Sequence, residues 1–262
     1  QVPVRIEFFL HSTITLLLFC SMTFIRNLFL IFDSLAGDYP RLLNRVHLED
    51  CFLRQFFEKD EHYVRVMNPL HFVIADENPL KPYVADVEKT KQIDLPDIYP
   101  ENSVGRFVDN NVARQIKNNI YINENAFPFI QKAGSCAHIH TCVEVDASLG
   151  PLEYTFDSRG RSLVLAFSTA LGQARLLHGE SVSGQLSNPI TVNFISTNGQ
   201  DFLLTVFQMN TLDLSSPVKN IVWQKQLGNI FGRCDFIEAV PTLEDYNHDV
   251  VETLLSVYKS GL

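Results

Sequence analysis

The chain has 262 residues, of which 46% are hydrophobic and 19% charged. This excludes a disordered chain and leaves room for one large domain or two small ones. The net charge of −9 is spread along it: residues 1–150 carry 14 basic against 19 acidic side chains, and residues 151–262 carry 7 against 11. No run of basic residues exists, which excludes binding nucleic acid through a broad phosphate-neutralising stripe and makes proteins the dominant expected partners.

The chain begins at Gln1 rather than Met, so it reads as a fragment or a processed form. Residues 8–25 are apolar and lack formal charge when His11 is neutral, a length close to the roughly 20 residues that span a bilayer. Ser12, Thr13, Thr15, Ser21 and Thr23 dilute that segment, and Arg26-Asn27 interrupts it before Leu28–Phe32 resumes. A buried helix is the first expectation; a membrane span and a displaced, mis-spliced N-terminus are the alternatives. Residues 41–60 place Leu42, Leu43, Val46, Leu48, Phe52, Leu53, Phe56 and Phe57 near helical spacing and are expected to form a helix. Residues 63–75 read as two short strands separated by Asn68-Pro69. From Asp76 to about Asn125 the chain is rich in Pro, Asp, Asn and Lys. It reads as loop, with one short helix around Asn111–Asn118, and marks the expected seam.

Residues 136–146 alternate Cys136, His138, His140, Cys142, Glu144 and Asp146 with Ala137, Ile139, Val143 and Val145. On a strand the six polar groups would share one face. Cys136 and Cys142 would then lie about 20 Å apart at roughly 3.3 Å per residue, too far for one zinc ion. A half-buried strand is therefore expected rather than a metal centre. Residues 163–177 form an amphipathic helix with Leu163, Phe167, Ala170, Ala174 and Leu177 on one face, closed by a left-handed Gly179. A hairpin follows over Pro189–Thr197 and Gln200–Asp213. A two-residue Asn198-Gly199 turn would pair Ile195 with Phe202 and Val192 with Thr205. The face carrying Ile190, Val192, Phe194, Leu203 and Phe207 should pack on the preceding helix. A last helix is expected over about 243–259, with Thr242 and Asp245 in capping positions.

Chemistry is sparse. Gly179-Glu-Ser181-Val-Ser183-Gly184 is a near miss to a nucleophile elbow, with Gly184 one place late and the helix on the wrong side. A serine hydrolase using Ser181 or Ser183 with His178 or His138 is the enzyme alternative. A membrane-anchored adaptor through residues 8–32 is another. Glu244-Asp245 fits a helix start better than an acid–base pair. Catalytic, cofactor and metal residues are all expected to be absent. Arg159, Arg161, Arg175, Lys219 and Lys225 are the candidates for RNA phosphate contact, against the alternative of solvated surface charge. Trp223 is a candidate interface anchor, or else a core tryptophan. Five irregularly spaced cysteines suggest a reducing compartment rather than a disulfide framework.

Ala166-Phe-Ser-Thr-Ala-Leu-Gly-Gln-Ala-Arg-Leu-Leu-His-Gly179, Pro189-Ile-Thr-Val, the Asn-Gly turn, Val206-Phe-Gln-Met-Asn-Thr-Leu-Asp-Leu214 and Lys219-Asn-Ile-Val-Trp223 follow one another over about sixty residues. In that order and spacing the chain resembles a family of animal mitochondrial ribosomal large-subunit proteins. The family comprises the protein numbered thirty-seven and its paralogue, once called programmed-cell-death protein nine. Leu95-Pro-Asp-Ile-Tyr-Pro100 and Asn119-Ile-Tyr121 echo it more weakly. Family members extend upstream of this chain's start, and residues 8–32 have no counterpart among the matched motifs. The resemblance implies a non-catalytic mitoribosomal component in the mitochondrial matrix. It also implies a heterodimer with the paralogue, contacts with other large-subunit proteins and limited contact with ribosomal RNA, with no membrane. The expected fold is α+β (mixed α/β): a hairpin-containing antiparallel sheet packed against helices. Residues 1–100 would form a mostly helical N-terminal region and residues 101–262 a C-terminal α/β domain.

Overall fold

The computed structural model describes residues 21–59, 62–95, 137–145, 156–237 and 240–262. Helix α1 covers residues 21–33. Strands β1 (Val46–Lys59) and β2 (His62–Asp76) follow, then β3 (His138–Val145) and helix α2 (Phe156–His178). Next come β4 (Gln185–Thr197), β5 (Asp201–Thr211), β6 (Ile221–Asn229), β7 (Arg233–Ile237) and β8 (Val240–Glu244), and helix α3 (His248–Tyr258) closes the order. Strands β1 to β6 form one sheet in sequence order, and β7 pairs with β8 apart from it. The fold is α+β as expected, with antiparallel neighbours throughout the large sheet except β3 and β4, which run parallel. Helix α2 is the crossover between those two strands, since parallel neighbours cannot be joined by a hairpin.

Both faces of the sheet are covered. On the first, α2 lays Leu165, Ala166, Ala170, Leu171 and Ala174 against Leu53, Val73, Val192, Phe194 and Phe207. Three alanines on that stripe bring the helix close to the strands, and Phe167 meets Phe207 edge to face at 5.9 Å. The hairpin face expected on the helix is there, and Gly179 ends the helix with φ +90. Leu177 departs from the expected stripe and is 38% exposed. On the second face, Ile25, Leu28, Phe29 and Phe32 of α1 join Val250, Leu254 and Tyr258 of α3 over Phe72, Ile74, Val143, Ile195 and Phe202. The buried-helix expectation therefore holds for residues 21–33. Among the described residues no helix is long and apolar enough to cross a membrane, and residues 8–20 lie outside them.

Several expectations are corrected. Residues 46–59 are a strand, not a helix. The misleading spacing of three arises at Asp50, whose φ of +52 turns the chain so that Leu48 and Cys51 reach the same core. Among the described residues up to 95, strand outweighs helix, and β2 bonds directly to β3 across the boundary expected at residue 100. Residues 62–76 are one strand rather than two. Among the described residues β3 pairs with β2 from Phe72 onward, so Pro69 has β1 as its one strand neighbour, a position that tolerates a missing N–H. β3 is buried on both faces, not half-buried. A register shift pairs Thr141 with Ile74 and Ile139 with Ala75, leaving His140 of β3 as the extra residue of a bulge. It sends His140 to the second face and Cys142 and Glu144 to the first, so the expected polar face is split. The last helix starts at His248 with Asn247 as its cap, because Thr242 lies in β8 and Asp245 turns with φ +56. The short helix expected at Asn111–Asn118 lies outside the described residues.

The hairpin register is two residues off the expected one: Ile195 faces Leu204, and Val192 faces Phe207. Side chains close a longer turn. Asn198 Oδ1 accepts from the backbone N–H of Gln200 at 2.9 Å and of Asp201 at 2.8 Å, and Thr197 Oγ1 accepts from Gly199 at 2.9 Å. An even shift leaves every side chain on its expected face. Gly199 has φ +98, and a Cβ there would meet Ser21 Oγ at 2.4 Å. Gly199→Ala is therefore expected to destabilise the fold by roughly 2 kcal/mol or more through strain and collision together. Urea denaturation checks this, and an unchanged midpoint would contradict it.

Candidate functional site

Arg45 ends a short 3-10 helix and enters β1 with its side chain wholly buried. Its Nε donates to Asp76 Oδ2 of β2 at 2.8 Å and its Nη2 to the carbonyl of Ser260 at 2.9 Å. Nη1 donates to the carbonyl of Tyr258, and the guanidinium lies 5.2 Å from that residue's ring centroid. The orphan carbonyls at the end of α3 are thus capped by a cation rooted in the sheet. Around it, His140 Nε2 meets the carbonyl of Ser260 at 2.8 Å, and Asn193 Nδ2 donates to Ser260 Oγ at 3.3 Å. The Tyr258 hydroxyl donates to Asp33 of α1 and lies 3.1 Å from His47 Nε2.

This cluster gathers Arg45, Asp76, His140, His47, Tyr258 and Asp33, yet its geometry is that of a clamp. His140 is 1% exposed, and both its ring nitrogens are occupied, one by Ser260 and one by Thr141 Oγ1 at 2.8 Å. The Ser260 hydroxyl donates to the carbonyl of Val257 at 2.7 Å, so it is not poised as a nucleophile. Burial, aided by the neighbouring Arg45 charge, lowers the His140 pKa to about 4. Burial also raises the Tyr258 hydroxyl, which Asp33 pushes further up. Asp76 sits below the ordinary carboxylate range: burial opposes ionisation, but the Asn78 N–H and Arg45 overcome it. Sequence reasoning missed this cluster, because Arg45 meets partners 31 and 213 residues away and no local spacing signals them.

The expected contact residues divide. Arg161 is exposed but bonded: its Nε donates to the buried Glu144 at 2.9 Å and its Nη2 to Asn68 Oδ1 at 2.8 Å. Arg175 donates to Gln55 Oε1 at 2.8 Å, and burial lowers its pKa. Lys219 is half-buried, with Nζ on the carbonyl of Ser216 at 3.3 Å. Arg159 and Lys225 are exposed. Trp223 is 41% exposed on β6, which rules out a core role, and its ring lies 5.5 Å from that of Tyr83. Tyr83 was not foreseen; it comes from the loop after β2, which Gln208 fastens to β5 through both backbone atoms of Val84.

The hydrolase constellation does not assemble. Ser181 and Ser183 are exposed and, among the described residues, make no hydrogen bond to His178 or His138. The two histidines line a groove of about 450 Å³ to which neither serine contributes. The amide of Gln173 there is spent on the backbone of Ala137 and Ile139. Cys142 is fully buried, and burial raises its pKa, so it is an inert thiol.

The clamp has a pH signature. The folded His140 stays neutral down to about pH 4, while the unfolded chain takes up its proton near 6.5. The unfolded state binds the extra proton, so stability is full above about pH 6.5 and falls as pH drops toward 4, by roughly 3 kcal/mol for this group. Urea midpoints measured from pH 7.5 to 4.5 should show that fall, and His140→Gln should flatten most of it. Parallel curves for the two proteins would contradict the assignment.

No family model matches the chain. It is 29% identical over 203 residues to large ribosomal subunit protein mL37 of Rattus norvegicus, covering 75% of this chain and 46% of that protein. To the Mus musculus mL37 it is 30% identical over 192 residues, 71% of this chain and 43% of the relative. To the Gallus gallus mL37 it is 25% identical over 213 residues, 79% of this chain and 47% of the relative. The chain thus spans a little under half the length of these relatives. Three vertebrate relatives, each aligned over about 200 residues, bear out the resemblance drawn from the helix and hairpin motifs: over most of its length the chain is similar to the mL37 proteins of the large ribosomal subunit.

Proposed function

We propose that the chain is a non-catalytic structural constituent of the large subunit of the mitochondrial ribosome, placed in the mitochondrial matrix and supporting translation there. The observation that carries this reading is the similarity to mL37 over 71–79% of the chain. The internal chemistry supports it: the titratable cluster around Arg45 ties helix ends to the sheet, and both faces of the sheet are occupied by the chain's own helices.

The chain is held in the particle chiefly by protein–protein contacts, including a heterodimer with its paralogous mitoribosomal protein. Contact with ribosomal RNA is limited, in keeping with a net charge of −9. Arg159 and Lys225 are exposed candidates for it, whereas Arg161, though also exposed, is engaged with Glu144, and Arg175 with Gln55. Trp223, exposed beside Tyr83, is the interface anchor.

Sucrose-gradient sedimentation of mitochondrial lysate tests the proposal. The protein, followed by immunoblot, should travel with the large subunit and shift to the top of the gradient when magnesium is removed and the particle falls apart. Recovery of most of it as a ribosome-free monomer in intact lysate would contradict the proposal.

A further inference from the structure

The large sheet ends on β1 at one side and β6 at the other, and the two edges are built differently. Along β1, Glu49 and Asp50 are exposed, Asp50 takes a left-handed φ of +52, and Glu49 is bonded to Arg26 of α1. Charges and local kinks of this kind discourage a further strand from pairing. β6 is less guarded: Lys225 is its one charged residue, and its irregularity, a register shift at Leu227 and Gly228 where Gly228 has φ +80, lies at the far end and leaves Ile221–Gln226 in continuous register. Its nine residues, Ile-Val-Trp-Gln-Lys-Gln-Leu-Gly-Asn, include no proline and no acid. Val222 and Trp223, on opposite faces, are 38% and 41% exposed. Among the described residues nothing pairs with the outer side of this strand. Tyr83, 58% exposed, lies against Trp223 and widens the aromatic surface at the edge.

We infer that the outer edge of β6 accepts an extended segment of another protein as a seventh strand, with an acidic side chain opposite Lys225 and an apolar one against Trp223 and Tyr83. Backbone groups of an open edge supply the affinity in strand addition, and alternate side chains supply the choice of partner. Charge decides what the partner is. Lys225 is exposed and is the middle residue of the strand. A second copy pairing antiparallel about that point would set Lys225 against Lys225, and like charges directly opposite destabilise a strand pair, whereas opposite charges stabilise it. With no acid on β6 to compensate, the edge selects against itself and for an acid-bearing strand. The inference deepens the structural-constituent reading by naming the edge through which a protein partner joins.

Fluorescence anisotropy tests it, with a labelled nine-residue peptide of alternating valine and threonine bearing a central glutamate, beside a twin bearing lysine there. The intact chain should bind the glutamate peptide saturably and about five-fold more tightly than the lysine twin. Lys225→Glu should invert that preference, and Trp223→Ala should weaken both peptides about ten-fold. Circular dichroism establishes that each variant is folded; if Trp223→Ala is not, the charge inversion decides alone. No saturable binding, or a preference unchanged in Lys225→Glu, overturns the inference. A wild-type dimer broken by Trp223→Ala would assign the edge to a second copy and overturn it too. So would a single-stranded RNA whose binding, but not the peptide's, depends on Trp223. No ribosome enters this assay, so its failure leaves the sedimentation result standing, and the reverse also holds.

Discussion

A sheet that is apolar on both faces cannot stand in water, and that constraint organises this molecule. β3, β4 and β5 are buried on both sides over most of their length. One face is covered by the crossover helix that the β3–β4 pair requires. The other has no such built-in cover and depends on α1 and α3, which come from opposite ends of the described chain. Sixteen buried side chains make up that second core. At roughly 1.5–3 kcal/mol each they contribute on the order of 30 kcal/mol of gross burial, an upper bound for a chain whose unfolded state is itself partly collapsed.

Against that figure the Arg45 cluster is energetically small, and its importance is positional. A buried ion pair roughly breaks even against apolar packing, while removing one partner costs about 3–5 kcal/mol because the other is left uncompensated. The pairing of Arg45 with Asp76, and its bonds to the carbonyls of Tyr258 and Ser260, therefore specify where α3 ends rather than drive it onto the sheet. The Tyr258 hydroxyl extends the same fixing to α1 through Asp33. The histidines and the serine in the cluster look reactive as a list and are quiet as an arrangement: His140 and Ser260 bond backbone carbonyls, His140 also meets Thr141, and His47 lies against the Tyr258 hydroxyl. This is the chemistry of a scaffold, and it accords with the similarity to a ribosomal protein.

What could be read from the residues beforehand was the part governed by local rules. The α2 stripe, the Gly179 stop and the faces of the β4–β5 hairpin follow from periodicity and turn residues, and the structure keeps them. Errors arose where one residue reset the period. Asp50 with positive φ made a strand imitate helical spacing, and the bulge at His140 split a polar face that strict alternation had unified. The Asn198 side chain lengthened a turn that its dipeptide suggested would be tight. β7 and β8 went unnoticed because five-residue strands give too little alternation to register. Of the contact candidates, Trp223 and Lys225 are exposed, while the bonds that hold Arg161 and Arg175 depend on partners distant in sequence.

If the two-sided cover is what makes the sheet possible, α1, α3 and the central strands must open together. Native-state amide hydrogen exchange under increasing denaturant measures this directly. Amides of α1, α3, β3 and β5 should merge onto a single opening free energy equal to that of global unfolding. Loss of protection in α1 and α3 at several kcal/mol less, with β3 and β5 still protected, would contradict it.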